Sequence, residues 1–128
     1  MKLFTGLNIQ FPISRLILGG GKTVETRTYP IPAKYLGQEL LIIETPGKEG
    51  NFKSRLVGSV IFNHCFKYLS ESKFYADSKR HFVTPDSQWK WTDQKPKWGW
   101  EILKINRFEQ PIPAPQRRGI IYTTNISI

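Results

Sequence analysis

The stretch that most constrains the fold of this chain is residues 19–29, with the sequence GGGKTVETRTY. Three consecutive glycines permit backbone conformations that other residues rarely adopt, so we expect a tight turn there. The residues after the turn alternate in character, which is typical of a strand whose successive side chains point to opposite faces. On that interpretation Thr23, Glu25, Arg27 and Tyr29 share one face, with Glu25 and Arg27 roughly 7 Å apart along it.

This polar strand face has two interpretations. A row of hydroxyl, carboxylate, guanidinium and phenol groups fills a core poorly, because a buried charge is costly unless it is paired. The face could therefore line a pocket, or Glu25 and Arg27 could form a structural ion pair that closes a barrel. Lys22, at the adjoining turn, could contact a phosphate, act as a base if it is desolvated, or be a solvated turn lysine.

The GGGKT segment also matches part of a phosphate-binding loop, but the surrounding sequence excludes that motif. A loop of that kind needs an earlier glycine at the position occupied here by Leu16, with a strand before the loop and a helix after it. Here the preceding residues have helical spacing and the following residues alternate like a strand.

Composition predicts one globular domain with a polyanionic partner. A chain of 128 residues fits a single domain over residues 1–128, which can bury a core without disulfides. Nineteen Lys and Arg against ten Asp and Glu give a formal charge of +9. This balance favours nucleic acid as a partner, because Lys and Arg neutralise phosphates and release their counterions.

Several classes of protein are disfavoured by what the sequence lacks. Cys65 is the single cysteine, and no Cys or His spacing is that of a zinc site, so we expect neither a metal nor a cofactor. The sequence has no signal-peptide pattern and no apolar run long enough to span a membrane. We therefore expect a soluble, cytoplasmic protein without a membrane partner. We also expect it to be a monomer.

Periodicity predicts a mostly β protein of the α+β class, with two or three short helices over residues 11–18, 33–36 and 70–80. Gly58 is interpreted as a bulge that helps a small barrel to close. The three prolines at positions 111, 113 and 115 predict an extended, polyproline-like crossing. The predicted strands cover residues 23–29, 39–45, 56–68, 98–108 and 120–128. In the last of them, Tyr122, Thr124 and Ile126 are expected to share a face.

The glycine-rich stretch resembles the signature of a known family. Residues Gly20, Lys22, Thr23, Glu25 and Arg27 fit the pattern G-x-K-[ST]-x-E-x-R of the ASCH domain, a small β-barrel family related to the PUA-like RNA-binding fold. NIQFP at residues 8–12 resembles the lead into the family's first helix, and WGWEI at 98–102 with the later prolines and a glycine at 119 resembles its closing strands. The resemblance spans residues 7 to about 122, and it implies a PUA-like barrel.

The resemblance also bears on catalysis. Family members proposed to be enzymes use the lysine of this motif with a hydroxyl and a carboxylate nearby, which implies a catalytic role for Lys22. In one such branch the catalytic hydroxyl lies two positions before the motif arginine, where this chain has Glu25. A carboxylate cannot replace that threonine, although Thr23 and Thr26 are close in sequence. This departure argues against an amidohydrolase of that branch.

Histidines and tryptophans supply the remaining candidates. His81 begins an irregular, basic segment at residues 81–97 that we interpret as a ligand-covering flap, and it is a candidate proton carrier. His64, on a strand with aromatic neighbours, is expected to be an interior or edge group.

Tryptophans in a small barrel serve either as core or as platforms for stacking bases. The pair within the flap, Trp89 and Trp91, is interpreted as ligand-facing, and Trp98 and Trp100 are expected to include at least one core residue.

Three functions remain open from the sequence. The first is a module that binds RNA or a nucleotide-like ligand, and the second is a metal-independent hydrolase that acts on RNA or a modified nucleoside. The third is an adaptor whose basic surface is incidental. The candidate catalytic residues are Lys22, Glu25 and His81. The candidate binding residues are Gln10, Lys22, Thr23, Glu25, Arg27, Trp89, Trp91, Trp98 and Trp100.

Overall fold

The computed structural model describes residues 2–116 and 121–128, and in this part of the chain strands predominate. A six-stranded mixed sheet carries a few short helices, which confirms the predicted mostly β, α+β class. The strands are β1 (Leu3–Gln10), β2 (Val24–Arg27), β3 (Leu40–Thr45), β4 (Arg55–Lys67), β5 (Trp98–Pro113) and β6 (Tyr122–Ser127). The helices are α1 (Ile13–Leu18), α2 (Glu71–Ala76) and α3 (Ser78–His81), with a single 3₁₀ turn at Ala33–Tyr35.

The strands lie in the order β2-β5-β4-β3-β1-β6, and only the β1–β3 pair is parallel among the described strands. The register of β4 shifts against both of its neighbours beside Gly58, where a bulge was predicted. Bulges of this kind bend long strands and let a sheet curl. The curl brings β2 opposite β1, where the Arg27 side chain donates from Nη2 to the backbone carbonyl of Asn8 at 3.0 Å. No backbone ladder joins β2 to β1 within residues 2–116 and 121–128.

The core lies inside this curl, and β3 passes through its centre. Every residue from Leu40 to Ile43 is buried, as the unbroken apolar run predicted for a strand covered on both sides. Trp100 and Phe62 are fully buried beside it, with their rings in an edge-to-face contact. The described helices include none that is both long enough and apolar enough to cross a membrane.

The proline-rich stretch was predicted wrongly. We expected a strand that ends at residue 108 and then an extended, polyproline-like crossing over residues 111–115, but β5 continues to Pro113, which pairs with Arg55 of β4. The reason is that β2 pairs only with Trp98 to Glu101 of β5. Among the described residues, the rest of β5 therefore pairs with β4 on one edge and with no strand on the other. A strand edge of that kind tolerates proline.

Other boundaries also differ from the prediction. Strand β1 was not predicted, and the helix expected over residues 70–80 is two short helices separated at Asp77. In β6 the strict alternation fails at Asn125, whose φ of 59° is left-handed, so that Thr123 is buried and Thr124 exposed. Residues 117–120, which include the glycine at 119 and the first residue of the strand predicted over 120–128, lie outside the described residues.

Candidate functional site

A cavity of about 490 Å³ opens where β2 faces β1. This is within the size range of pockets that hold small organic ligands. One wall comes from β1 and α1, the second from the glycine turn and β2, and the third from the segment that follows α3. The cavity therefore lies where the curled sheet has no backbone ladder between β2 and β1, a place we call the seam.

The glycine turn puts Lys22 into this cavity. Helix α1 ends at Gly19, and Gly20 then adopts a φ of +82°, which favours glycine and reverses the chain direction. The backbone N–H of Lys22 donates to the carbonyl of Leu16 at 3.0 Å, which ties the turn back onto the helix. The Lys22 side chain consequently points inward and is only 3% exposed.

Lys22, Glu25 and Arg27 form a buried triad. Lys22 Nζ donates to the backbone carbonyl of His81 at 2.6 Å and lies 3.5 Å from Glu25 Oε1. The other oxygen of Glu25, Oε2, accepts from Nε and Nη2 of Arg27 at 3.1 and 2.9 Å. Glu25 is itself 5% exposed, and all three residues line the cavity. The two interpretations of this strand face are thus compatible, since the ion pair is also part of the pocket wall.

The electrostatics of the triad follow from its burial. Desolvation lowers the pKa of Lys22 from its ordinary value, and the nearby Glu25 carboxylate only partly opposes this. Desolvation would raise the pKa of Glu25, but the charges of Arg27 and Lys22 outweigh it and the pKa is lowered. While Lys22 is protonated, the ionised Glu25 lies between two cations and the triad carries a net positive charge. A protonated Lys22 and the Arg27 guanidinium both have hydrogens that can be donated to an anionic ligand.

The remaining walls combine hydrogen-bonding groups with apolar surface. Gln10 from β1 and Thr45 from β3 are register partners in the parallel pair, and both line the cavity. Thr26 and Ser87 add hydroxyl groups. The apolar lining consists of Ile13, Leu16, Phe82, Val83, Ile121 and the half-exposed ring of Trp89. Apolar walls with a few convergent polar groups are typical of small-molecule sites.

His81 borders the cavity but is poorly placed to carry a proton. It is fully buried, its Nε2 donates to the carbonyl of Phe74 at 2.7 Å, and its Nδ1 accepts from the backbone N–H of Val83 at 2.9 Å. Burial lowers its pKa, which keeps the ring neutral in this tautomer. The imidazole therefore anchors the start of the segment, and its carbonyl holds Lys22. This geometry opposes the expected role of His81 as a proton carrier.

The structure separates the four tryptophans. Trp89 lines the cavity, whereas the buried Trp100 ring donates from Nε1 to the Tyr29 carbonyl at 3.2 Å. The centroid of this ring lies 5.5 Å from the Arg27 guanidinium carbon. Trp100 therefore packs against Arg27, and because it is fully buried it cannot stack on a ligand. Trp98 packs against the main core, and Trp91 packs near Phe74. The expectation of ligand stacking therefore fails for Trp100, and Trp91 and Trp98 are not among the lining residues.

Thr23, another predicted binding residue, is not among the residues that line the cavity. It precedes β2, its side chain is exposed, and its backbone N–H donates to the Arg80 carbonyl at 2.9 Å. Residues such as Thr45, Phe82 and Ser87 line the cavity but were missed. Their positions depend on the parallel β1–β3 register and on the path of an irregular segment, and neither has a local sequence signal.

Comparisons with known proteins agree with this fold. No protein-family model matches the sequence, and no curated protein matches it. Among solved structures, the ASCH protein of Zymomonas mobilis has a TM-score of 0.64 at 16% identity, with 85% of this chain and 72% of that chain covered. A serine-to-alanine variant of that protein, ZmASCH, gives 0.66 at 15%, covering 94% and 86%. Its tyrosine-to-phenylalanine variant gives 0.57 at 16%, covering 86% and 73%.

The fold and the cavity define a small, barrel-like α+β domain with a cavity between β2 and β1. The structural neighbours make the fold more specific, because all three are ASCH domain proteins. The chain therefore has the ASCH fold, as the G-x-K-[ST]-x-E-x-R resemblance implied. At these identities the likeness describes the fold, and the function has to be argued from the site.

Proposed function

We propose that this protein binds RNA or a nucleotide-like ligand in the cavity at the seam. The observation that carries the proposal is the buried triad of Lys22, Glu25 and Arg27, which lines a cavity of about 490 Å³ and is net positive while Lys22 is protonated. Lys22 and Arg27 donate to anionic or carbonyl oxygens of the ligand. The Glu25 carboxylate holds both cations in place without neutralising the site.

The other walls support a flat heterocycle as the second part of the ligand. The Trp89 ring, which is 41% exposed, offers a face on which a base can stack, and the exposed Phe82 ring lies on the same cavity. The side-chain amide of Gln10 can both donate to and accept from a base edge. The formal charge of +9 attracts an RNA strand to the surface before a base enters the cavity.

The test is RNA binding by a Lys22→Met variant. Methionine preserves the length of a side chain that is 3% exposed while it removes the charge. Loss of a charge-assisted hydrogen bond is worth about 2 kcal/mol, so we expect the dissociation constant to rise roughly 30-fold. The measurement is fluorescence anisotropy with labelled single-stranded RNA over a range of salt concentrations.

The matched control is Lys104→Met, which removes the same charge from an exposed position of β5 that is not among the cavity lining residues. This control measures the effect of net charge alone. Equal losses for Lys22→Met and Lys104→Met would show that RNA binds elsewhere on the basic surface. The proposal would then be wrong.

A second candidate function is a metal-independent hydrolase of RNA or a modified nucleoside, and the lowered pKa of Lys22 favours it. A neutral lysine amine can accept a proton from a ribose hydroxyl or from a water molecule that attacks the ligand. Glu25 cannot act as a general acid because Arg27 and Lys22 keep it ionised. The enzyme hypothesis therefore rests on Lys22.

Turnover assays separate the two candidates. The purified protein would be incubated with mixed RNA and with acylated nucleosides, in a chelating buffer, across a pH series. A hydrolase of this kind should become faster as pH rises and Lys22 loses its proton, and Lys22→Met should lower the rate by a factor on the order of 100. Absence of turnover at every pH, together with RNA binding that depends on Lys22, would leave only the binding function.

A further inference from the structure

A second cavity adjoins the one at the seam. It has a volume of about 400 Å³ and shares four lining residues with the first: Gln10, Ile13, Ser87 and Trp89. Its other lining residues do not border the first cavity, and among them are Phe11, Lys48 and Glu49. Trp89 therefore stands between two neighbouring volumes, and each of them is large enough for a nucleoside.

Trp89 is held in this position by its backbone. Its N–H donates to Ser87 Oγ at 3.0 Å, and its carbonyl accepts from Lys97 Nζ at 2.8 Å. Lys97 is only 7% exposed, so a buried cation fixes the carbonyl. These two bonds fix the backbone from which the ring projects, which reduces the entropy lost when a ligand binds.

A tryptophan that lines both cavities suits two consecutive nucleotides. Bases stacked in one strand lie about 3.4 Å apart, and an aromatic ring inserted between them increases the separation to about 7 Å. An unpaired, extended strand can adopt that separation, whereas a base-paired duplex resists it. The arrangement thus favours a single strand over a duplex.

The polar groups of the second cavity match the same ligand. Lys48 is exposed and brings a positive charge that can reach a backbone phosphate. Glu49 lines the same cavity, and its carboxylate can accept from the exocyclic amine of a base such as adenine or cytosine. A carboxylate next to a lysine would weaken the binding of a bare anion, but it is compatible with a nucleotide that has both a phosphate and an amino group.

We propose that the ligand is a single-stranded oligoribonucleotide whose neighbouring nucleosides occupy the two cavities, with Trp89 between their bases and Lys48 against the phosphodiester that joins them. This inference rests on the proposed function, because the first nucleoside occupies the seam cavity. It goes further in naming the smallest ligand that fills the site, which is a dinucleotide.

The experiment compares two ligands of equal charge. One is the dinucleoside monophosphate of adenosine, and the other is the methyl ester of adenosine monophosphate, which carries the same single negative charge. Binding is measured by isothermal titration calorimetry. Because stacking of a second base is typically worth more than 1 kcal/mol, we expect the dinucleotide to bind roughly tenfold more tightly.

Two variants test the assigned residues. Trp89→Ala should remove most of the tenfold advantage of the dinucleotide. Lys48→Ala should weaken the binding of both ligands, because the methyl ester keeps the phosphodiester that Lys48 is proposed to contact. With a longer single strand it should also lower the slope of log affinity against log salt by about 0.7. The control is Lys90→Ala, an exposed lysine next to Trp89 in sequence that is not among the lining residues of either cavity.

The outcomes separate this inference from the proposed function. Equal affinity for the methyl ester and the dinucleotide would refute the second subsite while leaving nucleotide binding at the seam intact. Equal effects of Lys48→Ala and Lys90→Ala would refute the role of Lys48. Failure of both adenosine ligands and of longer RNA to bind would refute the proposed function, and this inference with it.

Discussion

Replacing Glu25 with glutamine should cost a large part of the stability of this domain. The substitution keeps the size of the side chain but removes the negative charge that lies 2.9 Å from Arg27 and 3.5 Å from Lys22. Two cations then remain in a region where Lys22 is 3% exposed and the Arg27 side chain 18%. Breaking a buried ion pair in this way typically costs 3–5 kcal/mol.

We expect Glu25→Gln to fall near the lower end of that range, at about 3 kcal/mol, because the amide oxygen can still accept one bond from Arg27. Domains of this size are stable by roughly 5–15 kcal/mol, so the loss is easily measured by urea denaturation followed by circular dichroism. Glu101→Gln is the matched control. Glu101 also pairs with an arginine, Arg80, but its side chain is 34% exposed, so we expect a cost of no more than about 1 kcal/mol.

A double variant tests the reason for this loss. If unpaired charge is the cause, Lys22→Met should recover part of the stability that Glu25→Gln loses, with a coupling energy of at least about 1 kcal/mol. The lowered pKa of Glu25 adds a prediction for pH. Its stabilisation is present above the pKa of an unfolded glutamate, near pH 4, and is lost as pH falls through the lower folded value. Strictly additive losses, or an acid sensitivity that Glu25→Gln does not reduce, would refute the reasoning.

Three further substitutions have defined outcomes in the same denaturation assay. His81→Leu should cost about 2 kcal/mol because it removes the Nδ1 acceptor of the buried Val83 N–H, whereas the Phe74 carbonyl keeps its bond from the Asp77 N–H. Since burial lowers the pKa of His81, the parent should also lose stability as pH falls below about 6.5, and this part of the pH dependence should vanish in the variant. Glu44→Gln should cost about 3 kcal/mol, because its fully buried carboxylate accepts from a serine and two arginines; a cost below about 1 kcal/mol would contradict this. Gly20→Ala should cost about 1 kcal/mol through its φ of +82° alone, since the added methyl group meets no atom within 4 Å, whereas Gly21→Ala at an ordinary φ should cost less.

The local features of the fold were accessible from the sequence. Alternation predicted β2, the apolar run predicted β3, and the glycines predicted the turn that directs Lys22 inward. The bulge at Gly58 was also predicted. Each of these depends on residues within a few positions of one another, which is the range over which backbone preferences act.

The parts that could not be predicted depend on distant residues. Strand β1 pairs in parallel with β3, more than 30 residues away, and this pairing brings Gln10 beside Thr45 on the cavity wall. Tryptophans with the same side chain have different roles here: Trp100 is buried against Arg27, whereas Trp89 is half exposed and lines two cavities. Composition cannot distinguish them, because the difference arises from the curl of the sheet and from the anchoring of an irregular segment.

The seam between β2 and β1 has a consequence for how such a domain can change over evolution. A ladder of backbone hydrogen bonds allows only discrete registers, and a shift by one residue reverses every side chain. A seam bridged by the Arg27 side chain has no such constraint, so its width can vary by fractions of an ångström without altering any strand pairing. Substitutions in the few side chains that meet there can therefore reshape the cavity for a different ligand while the rest of the sheet is inherited unchanged.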